Sequence, residues 1–171
     1  MNMKVRLVMI SIFVILLITY VILLIPREFN RTYHGVKYRL GDTNEEILDN
    51  VTIEFKGSMY KTLTLKNTFK GTISINDFKI PSEQSKEDYV VLDFGHKDWA
   101  MIQEFFPMNY FGDISLSKDR NRLSIIVMEN RGWNGGDGLM ISAPAINRKE
   151  ALSISNELGN HYFNDLFTEF K

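Results

Sequence analysis

The 171-residue chain has no cysteine. That absence excludes disulfides, thiolate metal sites and a cysteine nucleophile, and with them the lipid-modified cysteine that anchors a lipobox protein. Alanine is scarce, at four residues, while Asn, Ile and Lys abound, a bias expected of an AT-rich coding genome. An excess of positive charge is missing as well: 20 Lys and Arg stand against 21 Asp and Glu. Three of the basic residues, Lys4, Arg6 and Arg27, lie in the first 27 positions, which hold no acid, so the remainder carries 17 basic and 21 acidic side chains and a net charge of minus four. Such a domain is a poor partner for nucleic acid, whose binding depends on neutralising phosphates.

What the chain does have is a run of nineteen uncharged, almost wholly apolar residues at 7–25. At about 1.5 Å per residue a helix of that length spans roughly 28 Å, close to the ~30 Å hydrocarbon thickness of a bilayer. Secretion signals have shorter apolar stretches ending in small residues. This run leaves through Ile22-Leu23-Leu24-Ile25-Pro26-Arg27, with no small residue for a peptidase. The expectation is an uncleaved transmembrane signal anchor over 1–27. The run has no Gly, and only Ser11, Thr19 and Tyr20 are polar, so a small-residue motif for pairing with other membrane helices is missing. Flanking charge does not orient it, because Lys4 and Arg6 are matched by Arg27, Arg31, Lys37 and Arg39. The short basic head, which looks like a secretory n-region, and the cysteine-free remainder favour a cell-membrane protein with its domain facing outside.

Residues 28–35 read as a tether and 36–171 as one extracytoplasmic domain, long enough to bury a core without metal or disulfides. Period-two alternation marks strands around 51–55, 62–66 and 69–75, with turns expected at Gly57-Ser58 and Lys66-Asn67. Further strands are expected at 36–40, 89–94 and 139–142. The polar tetrad Lys118-Asp119-Arg120-Asn121 divides 113–117 from 123–128 as a hairpin. Helical signals are fewer. Residues 44–48 suit a turn or two, and Asp98 is placed to cap a short helix presenting Trp99, Ile102 and Phe106, ended by Pro107. Asn147 and Glu150 form a capping-box pattern ahead of Ala151, Ile154, Leu158, Tyr162 and Leu166. The fold class predicted is α+β: a mainly antiparallel sheet of meander and hairpins, a C-terminal helix packed on one face, and one N-terminal transmembrane helix before it.

Two segments carry candidate chemistry. In Asp93-Phe94-Gly95-His96-Lys97-Asp98, two carboxylates and an imidazole at a strand end are the groups a hydrolase or transferase would use for acid–base work. The simpler account is a strand end, a turn and a cap. The second segment, Gly132-Trp133-Asn134-Gly135-Gly136-Asp137-Gly138, lacks the Lys and Ser or Thr of a phosphate loop and the oxygen ladder of a calcium loop. Its Trp133, Asn134 and Asp137 are candidate binding residues, since exposed aromatics stack on sugars and anchor protein interfaces; alternatively Trp133 folds back over the sheet edge as a lid. His34, His96 and His161 show no metal-ligand spacing, no G-x-S-x-G elbow marks a serine nucleophile, and no cofactor is expected.

The N-terminal span, the strand Phe69-Lys70-Gly71-Thr72-Ile73-Ser74-Ile75, the hairpin over 112–128 and the final Asn-x-x-Glu helix together resemble small membrane-anchored proteins of unassigned function from Gram-positive bacteria. The resemblance implies an extracytoplasmic α+β domain and carries over no catalytic residue. A non-enzymatic module binding a cell-wall component or a membrane protein is therefore the first expectation. An envelope hydrolase or transferase built on Asp93, His96 and Asp98 is the alternative.

Overall fold

The computed structural model describes residues 3–41, 48–95, 98–105, 108–129 and 132–159. Helix α1 (Met3–Leu24) buries none of its side chains against the protein and is long and apolar enough to cross a membrane. Two residues later the chain is already strand β1 (Arg27–Arg39), so the stretch 28–35 expected as a tether is ordered sheet. Residues β2 (Leu48–Lys61) and β3 (Asn67–Ile75) follow, then the short β4 (Phe78–Ile80), β5 (Val90–Phe94), β6 (Trp99–Phe105), β7 (Met108–Leu116), β8 (Leu123–Val127) and β9 (Leu139–Ala143). Helix α2 (Arg148–Gly159) closes the described chain.

Every ladder is antiparallel, in the order β4-β3-β2-β1-β9-β8-β7-β6. Strands β5 and β4 share the outer edge of β3, β5 along 67–71 and β4 along 73–75. The sheet curls until this edge meets β6, giving a nearly closed barrel. Its interior is filled by side chains from successive strands, among them Phe29, Tyr33, Phe55, Phe69, Ile73, Leu92, Ile102, Ile114 and Ile125. Phe29, Phe55 and Phe69 meet edge to face at 5.4–5.8 Å, the arrangement ring quadrupoles prefer.

The α+β class is as read from the sequence, and three local expectations are corrected. Gly57-Ser58 makes no turn: β2 runs straight through it, and Gly57 faces Gly71 of β3. A Cβ on Gly57 would sit 2.3 Å from the Lys70 carbonyl oxygen, so glycine there serves close strand approach in a tightly coiled sheet. The alternating stretch 62–66 is itself the turn, closed by Thr62 N–H to the Lys66 carbonyl at 2.9 Å, with Leu65 at φ +59°. The helix expected after Asp98 is strand β6, whose Ala100, Ile102 and Glu104 point inward while Met101 is exposed. A polar Glu104 at an inward position hid the period of two. Residues 44–47 and 160–171, which carry the remaining helix expectations, lie outside the described residues.

Helix α2 begins with a variant of the expected capping box: Asn147 Oδ1 accepts the Glu150 N–H at 2.9 Å, while the Glu150 carboxylate accepts from Asn147 Nδ2 at 2.9 Å and from the N–H of Ile146, one residue before the cap, at 3.1 Å. Its Ala151, Ile154 and Leu158 cover the outer face formed by Val36, Tyr38, Leu40, Ile126 and Met140. Beneath it Ser155 Oγ lies 2.7 Å from Tyr38 Oη, 2.7 Å from Ser142 Oγ and 2.8 Å from Ser124 Oγ, so the buried hydroxyls satisfy one another. Burial raises the Tyr38 phenol above its ordinary pKa and keeps it neutral.

The barrel seam has no ladder between β5 and β6 among the described residues and is closed by side chains and one backbone bond. Glu104, 4% exposed, accepts from both the N–H and the hydroxyl of Ser82, the latter at 2.9 Å; Gly95 N–H donates to the Trp99 carbonyl at 3.0 Å, and Phe78 stacks on Phe111. Glu104→Ala leaves two part-buried Ser82 donors without an acceptor and should cost about 1–2 kcal/mol in denaturant unfolding, with Glu104→Gln, which keeps one acceptor, costing less. Unchanged stability of Glu104→Ala would show that the seam is held elsewhere.

Candidate binding groove

At the end of the barrel remote from α1, the chain after β8 and the loop before β9 fold against the last residue of β1. Arg39 supplies the centre. Its two terminal nitrogens donate to the two Glu129 carboxylate oxygens at 2.9 and 2.8 Å, a fork-to-fork pair, and Nη1 also donates to the Asp137 carbonyl at 2.8 Å. The Asp137 carboxylate lies 3.8 Å from the same guanidinium. Hydrogen bonding from Arg39 holds the Glu129 carboxyl below the usual glutamate range, and Glu129 in turn raises Arg39.

The glycine-rich loop is structured by its own side chains. Asn134 Oδ1 accepts the N–H groups of Gly136 and Asp137, both at 2.9 Å, an Asx turn that sets the loop's curvature. Trp133 packs on the α2-side core, and its indole lies directly over Gly138, where a Cβ would come 2.1 Å from Nε1. Gly138 is thus the seat of the tryptophan, and the lid reading of Trp133 describes its inner face. Its remaining surface, with Arg39, Glu129, Gly132, Asn134, Asp137 and Gly138, lines an open groove of about 490 Å³.

The three candidate binding residues Trp133, Asn134 and Asp137 are therefore brought into one groove. Sequence reading missed Arg39 and Glu129, which lie 90 positions apart and show no motif. Of the candidate acid–base residues, Asp93 and Asp98 fall at the opposite end of the barrel. Asp93, exposed near the end of β5, accepts from Thr68 Oγ1 at 2.8 Å. Asp98, at φ +51°, turns the chain into β6 through backbone bonds to Gly95 and Leu116 instead of capping a helix. His96 and His161 lie outside the described residues; His34 is exposed on β1, 3.3 Å from Thr52 Oγ1. Among the described residues no three acidic or imidazole side chains are grouped to hold a metal ion.

No protein-family model matches the chain, and no curated protein or solved structure is significantly similar to it.

Two expectations follow from this geometry. Gly138→Ala should unseat the indole, costing about 1–3 kcal/mol and shifting Trp133 fluorescence to the red in a Trp99→Phe background, whereas unchanged emission would contradict the packing. Because the folded Glu129 carboxyl is depressed, its pair with Arg39 stabilises the protein above the ordinary glutamate pKa, and that contribution is lost as pH falls through the lower folded value. The stability gap between the protein and Glu129→Gln, under about 1 kcal/mol for so exposed a pair, should be constant at neutral pH and close only below the usual glutamate range in acid titration.

Proposed function

We propose that this chain is a single-pass membrane protein whose barrel stands on the outer side of the membrane and binds a cell-wall component through the Arg39–Trp133 groove. The observation that carries the proposal is the placement of that groove. Strand β1 leaves α1 at once and its 13 residues extend about 40 Å before Arg39 enters the groove, so a span in the bilayer would hold the groove well out from the lipid surface. The lining supports binding more than reaction: it presents a guanidinium, two carboxylates, an amide and part of an indole, and among the described residues it includes no hydroxyl or imidazole to act as nucleophile or base. An aromatic surface beside convergent hydrogen-bonding groups suits a polyhydroxylated ligand such as a cell-wall glycan.

Trp133 is a poor probe, because its removal would also unpack the face beneath α2. Arg39→Gln combined with Asn134→Ala instead removes the guanidinium at the centre of the groove and the amide that shapes its loop, without touching the indole. Co-sedimentation with insoluble cell wall should retain the full-length protein and release the double variant, while both proteins melt within a few degrees of each other. Equal retention would remove the groove from the account, and photo-crosslinking from position 134 to a membrane protein in place of wall polymer would assign it to a protein partner. Protease added to intact protoplasts should degrade the barrel; protection would reverse the orientation.

A further inference from the structure

The barrel end nearest α1 carries Asp93, Asp98 and Asp119, yet it also gathers cations beside the exit of the helix. The last turn of α1 and the chain leaving it form one wall of a cleft of about 110 Å³, contributing Leu23, Ile25 and Arg27; the other wall is Met59, Tyr60 and Lys61 of β2, Asn67 of β3 and Arg120 from the β7–β8 hairpin. Three cations thus converge beside two apolar side chains of the span's exit. None of Arg27, Lys61 and Arg120 is ion-paired to a carboxylate among the described residues. Arg120 is held over the Phe29 ring and donates to Asn67 Oδ1 at 3.4 Å. The carboxylate next to it in sequence, Asp119, is occupied within its own hairpin by Ser117 Oγ and Asn121.

The β2–β3 turn beside this cleft has a composition that water does not favour. Leu63 is 75% and Leu65 45% exposed, flanked by Lys61 and Lys66. Tyr20 Oη donates to the Leu63 carbonyl at 2.8 Å. Tyr20 lies four residues, about 6 Å, before the end of α1, so the turn reaches back along the helix past its exit. If α1 spans a bilayer, Leu63 and Leu65 lie at the depth of the headgroups and upper acyl chains, where a tyrosine also belongs.

We propose that this junction is a binding site for one anionic phospholipid of the surrounding bilayer, its phosphate held by Arg27, Lys61 and Arg120 and its chains lying along Leu23 and Ile25, with the Leu63–Leu65 turn seated in the interface beside it. The occupant follows from continuity with the span and from charge. Apolar side chains at the cleft floor fit acyl chain, three unpaired cations fit a phosphodiester, and a neighbouring bilayer supplies both at once. The site rests on the reading of α1 as a membrane span.

Full-length protein in detergent, presented with equal phosphatidylglycerol and phosphatidylcholine, should retain the anionic lipid preferentially in native mass spectrometry. Arg27→Gln and Lys61→Gln, both at the cleft rim, should each lower that preference about fivefold without changing the circular dichroism spectrum. Equal retention of the two lipids, a preference unchanged in the double variant, or displacement of the lipid by equimolar glycerol phosphate would overturn the proposal, the last by assigning the cleft to a free anion. In vesicles, single-cysteine variants at Leu63 and Leu65 carrying an environment-sensitive dye should be quenched by lipids spin-labelled near the headgroup, and a dye at Asn134 should not. A dye placed at Ile15 separates the two failures. If Ile15 is not quenched by spin-labelled acyl chains, α1 is no span; if it is quenched and positions 63 and 65 are not, the junction site alone is wrong.

Discussion

Hydrogen bonding along both edges of β1 is the constraint on which the rest of the molecule depends. One edge pairs with β2 from Arg27↔Met59 to Tyr38↔Leu48, and the other with β9 from Val36↔Ser142 to Arg39↔Leu139. The near half of the strand contributes Phe29 and Tyr33 to the barrel interior; the far half turns Val36 and Tyr38 to the outer face that α2 covers. A single strand therefore belongs to both hydrophobic clusters. It begins at the exit of α1 and ends at the guanidinium of the groove. Loss of its register by one residue would exchange its buried and exposed faces and dissolve both clusters together.

Curling the sheet around β1 leaves one seam that backbone ladders do not close. Glu104, Ser82 and the Phe78–Phe111 stack bridge it, so a buried carboxylate with two donors does there what a ladder does elsewhere. The same curling separates the two ends of the barrel. Cations and exposed leucines collect where β1 starts, and the Arg39–Glu129 pair with the tryptophan loop lies where it finishes. A domain with a net charge of minus four thus brings Lys61 and Arg120 together with Arg27 beside the apolar helix.

Local features were legible in the sequence, and those depending on distant partners were not. The β7–β8 hairpin, strand β9 and the cap of α2 follow from residues within a few positions of one another. Helix α1 follows from composition alone. Residues 28–35 look like a tether because the only large apolar side chains buried there are Phe29 and Tyr33, four apart, with polar Arg31 between them interrupting the alternation. Strand β6 looked helical because Glu104 occupies an interior position that only a serine from another loop makes tolerable. Gly57 reads as turn chemistry in the sequence, although its cause is the close approach of Gly71 on the neighbouring strand. Of the groove, the tryptophan loop was visible as an aromatic outside any core period. Arg39 and Glu129 were invisible, since nothing near either residue marks its partner.

The central claim is that β1 continues from α1 without a flexible tether and fixes the groove at the opposite pole of the barrel. Because the chain has no cysteine, two can be introduced for spin labels without background, at Val21 in α1 and Asn134 at the groove. Electron–electron double resonance in lipid nanodiscs should give one narrow distance population near 40–50 Å, the length of β1 plus the last turn of the helix. A broad distribution, or a population below about 25 Å, would mean that the barrel swings freely on the helix or folds back against it, and would contradict the account.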